Sequence, residues 1–125
     1  MNRPIVKGYV TLAAGQIHYR EVAGTSPPIV FLHQTAQSSR SYEALLHDIR
    51  LPQRLLALDT PGFGESFEPD GWPSMRDYAA WMSAALDVLG AERAHFFGHH
   101  TGASLTTAIA SDSPRSVLSL MTRLP

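Results

Sequence analysis

No cysteine occurs anywhere in this 125-residue chain. That absence removes a disulfide framework, a thiolate zinc site and a cysteine nucleophile together. An excess of one charge is missing too. Ten lysines and arginines stand against 11 aspartates and glutamates, for a net charge of −1, and no block of like charge occurs. Without a basic footprint, neither nucleic acid nor a membrane surface is an expected partner. The apolar runs fall well short of the roughly 20 residues that span a bilayer. None follows Met1-Asn2-Arg3-Pro4 as a secretion signal would require. A cytoplasmic location is the matching expectation. What is present is apolar residue, 44% of the chain, enough for one buried core.

The first part of the chain alternates apolar and polar residues. Gly8 to Leu12, the turn Ala13-Ala14-Gly15, and Gln16 to Val22 together predict an antiparallel hairpin. Gly24-Thr25-Ser26-Pro27-Pro28 reads as a loop. The pattern then changes to short continuous apolar runs, Ile29-Val30-Phe31-Leu32 and Arg54 to Leu58, which suit strands buried on both faces of a parallel sheet. Helical spacing lies between them, at Tyr42, Leu45, Leu46 and Ile49. A second helix starts at Ser74 as N-cap, with Asp77 three residues on, carries Tyr78, Trp81, Met82, Ala85 and Leu89 as its apolar stripe, and ends at Gly90. Ala94 to Phe97, a helix over Thr101 to Ser111, and Ser116 to Met121 complete the alternation. The fold class expected is α/β: an N-terminal antiparallel hairpin leading into a mostly parallel sheet with helices on both faces.

The strongest chemical signal is Gly98-His99-His100-Thr101-Gly102, between a strand and a helix. Glycines two before and two after a central residue let strand and helix backbones approach closely. The central side chain, His100, then stands at the carboxyl end of the strand, beside amide N–H groups that the helix leaves unsatisfied. A second piece, His33-Gln34-Thr35-Ala36, follows the strand at Ile29–Leu32 and can aim a backbone N–H into the same crevice. In acyl transfer two such N–H groups hold a developing oxyanion, and here they would be those of Thr35 and Thr101. Asp59-Thr60-Pro61-Gly62-Phe63-Gly64-Glu65-Ser66 follows the next buried strand as a third piece.

In this order and at these distances the three pieces resemble the α/β-hydrolase family, from Gly8 to about Leu120. The resemblance is most specific in the D-x-P-G-x-G-x-S segment, Asp59 to Ser66, coupled to the later elbow. It implies a structural role for that segment and a nucleophile at the elbow, with Gly98 and Gly102 as the elbow's structural glycines. It implies a hydrolase of a small ester-like or related substrate, and no cofactor. Two departures stand beside it. His100 occupies the place of a serine, aspartate or cysteine, and Gln34 that of the glycine after His33. The family also places its acid and catalytic histidine after the elbow. There, Asp112 is this chain's only acid and no histidine occurs. The expectation is therefore one α/β-hydrolase-like domain over residues 1–125, truncated after the elbow helix and its following strand. The last residues, Thr122-Arg123-Leu124-Pro125, carry no cap or tail signal, and the open sheet edge would call for a partner chain or self-association.

For His100 three readings stand: a nucleophile passing through an acyl-imidazole, a general base with an ordinary pKa of about 6.5, or a relic in a dead site. His33, Gln34 and His99 are expected to line the pocket or support its loops. His95, His99 and His100 straddle a strand and a turn rather than one helix face, so no metal site is expected. His18 and His47 read as hairpin or surface residues. For the chain as a whole, a hydrolase stands against a non-catalytic remnant that binds a small molecule or a partner. A cofactor-independent lyase or oxygenase-type site with His100 as base is a third reading.

Overall fold

The structure is a computed structural model and describes residues 3–123. Met1, Asn2, Leu124 and Pro125 lie outside the described residues, and so does the end of the expected tail. Strand β1 (Ile5–Thr11) turns at Gly15 into β2 (Gln16–Val22), and the two pair antiparallel from Ile5↔Val22 to Thr11↔Gln16. Then come β3 (Thr25–Leu32), a 3-10 turn (Ser39–Tyr42) running into α1 (Glu43–Asp48), β4 (Gln53–Leu58), α2 (Met75–Val88), β5 (Ala94–His99), α3 (Thr101–Asp112) and β6 (Val117–Arg123). One six-stranded sheet runs in the order β1-β2-β4-β3-β5-β6. Pairing is antiparallel only where β1, β2 and β4 meet. The β4, β3, β5 and β6 neighbours are parallel.

The expected architecture is present, with differences at the start of β3 and in the helix before Ile49. Gly24 to Pro28, read as a loop, instead opens the strand: β3 starts at Thr25, paired with Gln53 of β4. A register shift between Thr25 and Ile29 takes up the stretch that holds Pro27 and Pro28. Prolines have no N–H to give a ladder and are tolerated at such irregularities. The periodic stretch before Ile49 likewise divides into a 3-10 turn and a short helix instead of a single α-helix.

Helices cover both faces because the central strands are apolar on both. On one face Met82, Ala85 and Leu86 of α2 and Leu105 and Ile109 of α3 meet Val30, Leu32, Leu56, Leu58 and Phe96. On the other, Tyr42 and Leu46 meet Val22, Phe31, Leu55 and Ala57. Helix α2 begins as its sequence predicts: the Ser74 hydroxyl accepts the Asp77 N–H at 3.1 Å and the Asp77 carboxylate accepts the Ser74 N–H at 2.8 Å. Gly90, at φ 72°, follows its end. Among the described residues no helix is long and apolar enough to cross a membrane.

Candidate functional site

The carboxyl ends of β3, β4 and β5 lie side by side, and three loops leave them in one direction. Open parallel sheets place their ligand crevices there. At the end of β5 one residue, His100, separates strand from helix, with φ 56° and ψ −112°. L-residues avoid this region, and holding one there costs of order 1–3 kcal/mol. The surroundings enforce it. A Cβ on Gly98 would run into the Gly102 carbonyl, and one on Gly102 into the Leu32 carbonyl. Both positions must be glycine for β5, β3 and α3 to come this close. The His100 N–H donates to the Arg123 carbonyl at 2.8 Å, and its own carbonyl accepts from Ala103 and Ser104. The imidazole of His100 is exposed and makes no hydrogen bond among the described residues.

The loop after β3 crosses in front of this turn. His33 is buried at its base. Nδ1 lies 2.8 Å from the Gln34 carbonyl, and Nε2 accepts the Thr60 N–H at 3.0 Å. One nitrogen must donate and the other accept, so the ring is neutral, with its proton on Nδ1. Burial holds the His33 pKa below its ordinary value, against the opposing pull of the Gln34 carbonyl and the Asp59 charge. Thr35 follows, and its backbone N–H donates to the Thr101 hydroxyl at 2.6 Å. The two threonine hydroxyls are 2.8 Å apart. As the first residue of α3, Thr101 has a backbone N–H with no intrahelical acceptor.

The loop after β4 is held by the carboxylate of Asp59, which is almost wholly buried. It accepts from the Ser39 N–H at 2.7 Å, from the Glu65 N–H at 2.9 Å and pairs with His18 Nδ1 at 2.9 Å. Burial opposes its charge, but these donors together outweigh burial and hold the carboxyl below the usual range. Gly64, at φ 54°, packs directly against this carboxylate, where a Cβ would collide with it. His18, read from sequence as a hairpin or surface position, is therefore a buried partner of Asp59, and its ring is tilted against that of Tyr9 with centroids 5.0 Å apart. The His18–Asp59 hydrogen bond joins residues 41 apart, a separation that local pattern does not reveal. His47 is exposed, as expected.

These loops enclose a cleft of about 170 Å³. His33, Thr35, Thr60 and Thr101 form its polar side, and Phe63, Met75, Tyr78 and Leu105 its apolar wall. Of the residues singled out from sequence, the cleft brings together His33, Thr35 and Thr101. Gln34, His99 and His100 are not among the residues that line it. His95 faces the far side of the sheet, hydrogen-bonded to Ser119 at 2.6 Å. Sequence reasoning passed over Thr60, Phe63, Met75, Tyr78 and Leu105. Tyr78, expected in the α2 core stripe, does pack edge-on against Trp81 while its other side meets the cleft. Its place in the first turns of a helix that follows a strand's carboxyl end was the available signal.

Residues 27–125 match the family model described as alpha/beta hydrolase fold. The chain belongs to this family. Over 111 residues it is 32% identical to a 2-hydroxy-6-oxononadienedioate/2-hydroxy-6-oxononatrienedioate hydrolase of Pseudomonas putida, covering 82% of this chain and 37% of that protein. A haloalkane dehalogenase of Mesorhizobium japonicum is 25% identical over 114 residues, 91% of this chain and 37% of that one. Among solved structures, an N-acyl homoserine lactonase, AidH, complexed with N-butanoyl homoserine superposes with a TM-score of 0.85 at 27% identity, covering 97% of this chain and 46% of the other. This alpha/beta hydrolase chain thus spans less than half the length of these relatives.

Proposed function

We propose that this alpha/beta hydrolase chain binds a small ester-like carbonyl compound in the cleft beside the β5–α3 turn and supports its hydrolysis, with His100 in the nucleophile position. The observation that carries this reading is the backbone of His100. A histidine stands where no L-residue sits comfortably, and that strain survives although the side chain is not the usual nucleophile. The apolar wall of Phe63, Met75, Tyr78 and Leu105 suits an acyl chain. The backbone N–H groups of Thr35 and Thr101 would donate to the carbonyl oxygen as it gains charge. In this role His100 takes a proton from a water as that water adds to the carbonyl carbon. It returns the proton to the departing alcohol when the carbon–oxygen bond breaks. The N-acyl homoserine lactonase, by its name, supports an ester-like substrate.

A chromogenic ester with a short acyl chain tests this directly. Turnover by the wild-type chain should fall by at least about a hundredfold in His100→Ala, the usual contribution of an acid–base group. Equal rates would remove His100 from the chemistry. A second reading, binding without turnover, is favoured by the exposed, unpartnered imidazole and its place outside the cleft lining. It predicts that the ester or its acid binds while neither protein turns it over.

A further inference from the structure

The Thr101 hydroxyl stands where a ligand oxygen would have to go. Its oxygen accepts the Thr35 N–H at 2.6 Å and lies 2.8 Å from the Thr35 hydroxyl, so the N–H and the hydroxyl of Thr35 are already engaged by a neighbour from the other side of the cleft. Thr35 and Thr101 both line the cleft, and the remaining lining beside them is mostly apolar. Nothing about the fold demands this contact. Thr101 is the first residue of α3, its side chain caps nothing in its own helix, and Thr35 lies in an exposed loop joined to α3 here by these two bonds.

We propose that Thr101 is a plug in the cleft, its hydroxyl occupying the Thr35 N–H until a negatively charged ligand oxygen displaces it. The inference rests on the ligand-binding reading of the cleft and says which ligands that cleft accepts. A neutral carbonyl oxygen, that of an unreacted ester included, offers the Thr35 N–H about what the hydroxyl already offers, so the exchange gains little until the oxygen gains charge. A negatively charged oxygen forms a hydrogen bond roughly twice as strong and displaces the hydroxyl. Displacement needs only a turn about χ1 of Thr101, whose staggered alternatives are open at a helix start more than in a helix interior. The site therefore selects carboxylates over the corresponding neutral amides. The tail is short, since an apolar cavity of about 150 Å³ takes a ligand the size of benzene. The cleft, at about 170 Å³, fits a carboxylate with a chain of about six carbons.

The test uses the 125-residue chain, labelled with ¹⁵N, and two probes, hexanoate and hexanamide. Wild type, Thr101→Val and Thr101→Ser are compared. Valine keeps the branched shape and removes the acceptor, while serine keeps the hydroxyl. The proposal expects the Thr35 amide to exchange with water at least about fivefold faster in Thr101→Val, the worth of one net hydrogen bond, with Thr101→Ser at the wild-type rate. It expects hexanoate to bind Thr101→Val about five- to tenfold more tightly than wild type. Hexanamide should bind wild type more weakly than hexanoate, and the gap should persist in Thr101→Val, since both oxygens displace the same hydroxyl. Unchanged exchange at Thr35 would overturn the plug, whatever the esterase result. Faster exchange with no gain in hexanoate affinity, or no hexanoate binding to any variant, would overturn its displacement by a ligand. Thr101→Ala is the replacement if valine disturbs the fold, judged by the amide pattern of β1 and β2. Neither readout depends on turnover at His100, so the two proposals fail separately.

Discussion

Nε2 of His33 accepts the backbone N–H of Thr60 at 3.0 Å and so ties the loop after β3 to the loop after β4. The bond is buried, and only a neutral imidazole can accept it. Protonation would replace an acceptor by a donor facing another donor. The cleft is held open between two loops by a group that must stay uncharged.

Acid therefore weakens the protein in a defined window. The folded-state pKa of His33 lies below its ordinary 6.5. Below pH 6.5 the unfolded chain takes up a proton that the folded chain resists, so unfolding becomes easier as pH falls. The contribution is complete above about pH 6.5 and is lost as pH drops from there toward the lowered pKa. Asp59 acts in a lower window, below its ordinary 3.8, because its folded pKa is also depressed. Urea unfolding at pH 7.5 and pH 5.5 checks the first window. His33→Ala should lose about 1–3 kcal/mol at pH 7.5, with the Thr60 N–H left unsatisfied, and its stability should vary less between the two pH values than that of wild type. A steeper slope in the variant would show that another group governs the window.

His100 makes the opposite kind of prediction. Glycine adopts φ 56° without the steric cost a histidine meets. His100→Gly should thus stabilise the chain by about 1 kcal/mol, a higher urea midpoint at unchanged slope. The same variant should lose the ester turnover proposed for His100. A gain in stability with a loss of function at one residue is the signature of strain kept for a site. A destabilised His100→Gly would mean that the imidazole packs more usefully than its exposure indicates.

Strand β6 ends the sheet, and its outward edge has no partner strand among the described residues. Leu118, Leu120 and Met121 are exposed on it, Met121 at 65%. An open, apolar edge of this kind is a template on which another chain can pair. Sedimentation velocity should show mass rising with protein concentration, and replacing Leu120 and Met121 by lysine together should return the chain to a monomer. A monomer in wild type at about 100 μM, within the range where weak association shows, would refute self-association here.

How much of this could be read from the sequence follows the range of each interaction. Ser74 and Asp77 lie three residues apart, and their reciprocal cap was legible because both partners sit in one short window. The apolar runs at Ile29 to Leu32 and Arg54 to Leu58 announced a covered sheet for a similar reason. The start of β3 was hidden because Pro27 and Pro28 are read locally as loop residues, whereas pairing of Thr25 with Gln53 decides the matter across the sheet. In the site, Gly98, Gly102 and the turn between them were legible as spacing. The hydroxyl of Thr101 on Thr35 was not, since it joins positions 66 apart through a side-chain rotamer. Likewise the apolar wall draws on Phe63, Tyr78 and Leu105 from three separate segments, each resembling ordinary core in its own surroundings.

The pairing of His18 with Asp59 also bears on how the molecule assembles in time. The loop that carries Thr60 and Phe63 is fastened from behind by β2: Asp59 N–H donates to the His18 carbonyl, Phe67 N–H to the Gln16 carbonyl, and Ser66 Oγ accepts the His18 N–H. These links close stretches of some 40 to 50 residues, and such closures come late and slowly in folding. The amino-terminal hairpin, on the far side of the sheet from β5, must therefore dock before the cleft acquires its second wall. Refolding followed at Trp81, which packs on Phe67, should lag behind formation of α2, and a chain caught before that step would have a helix and a strained turn but nowhere to hold a ligand.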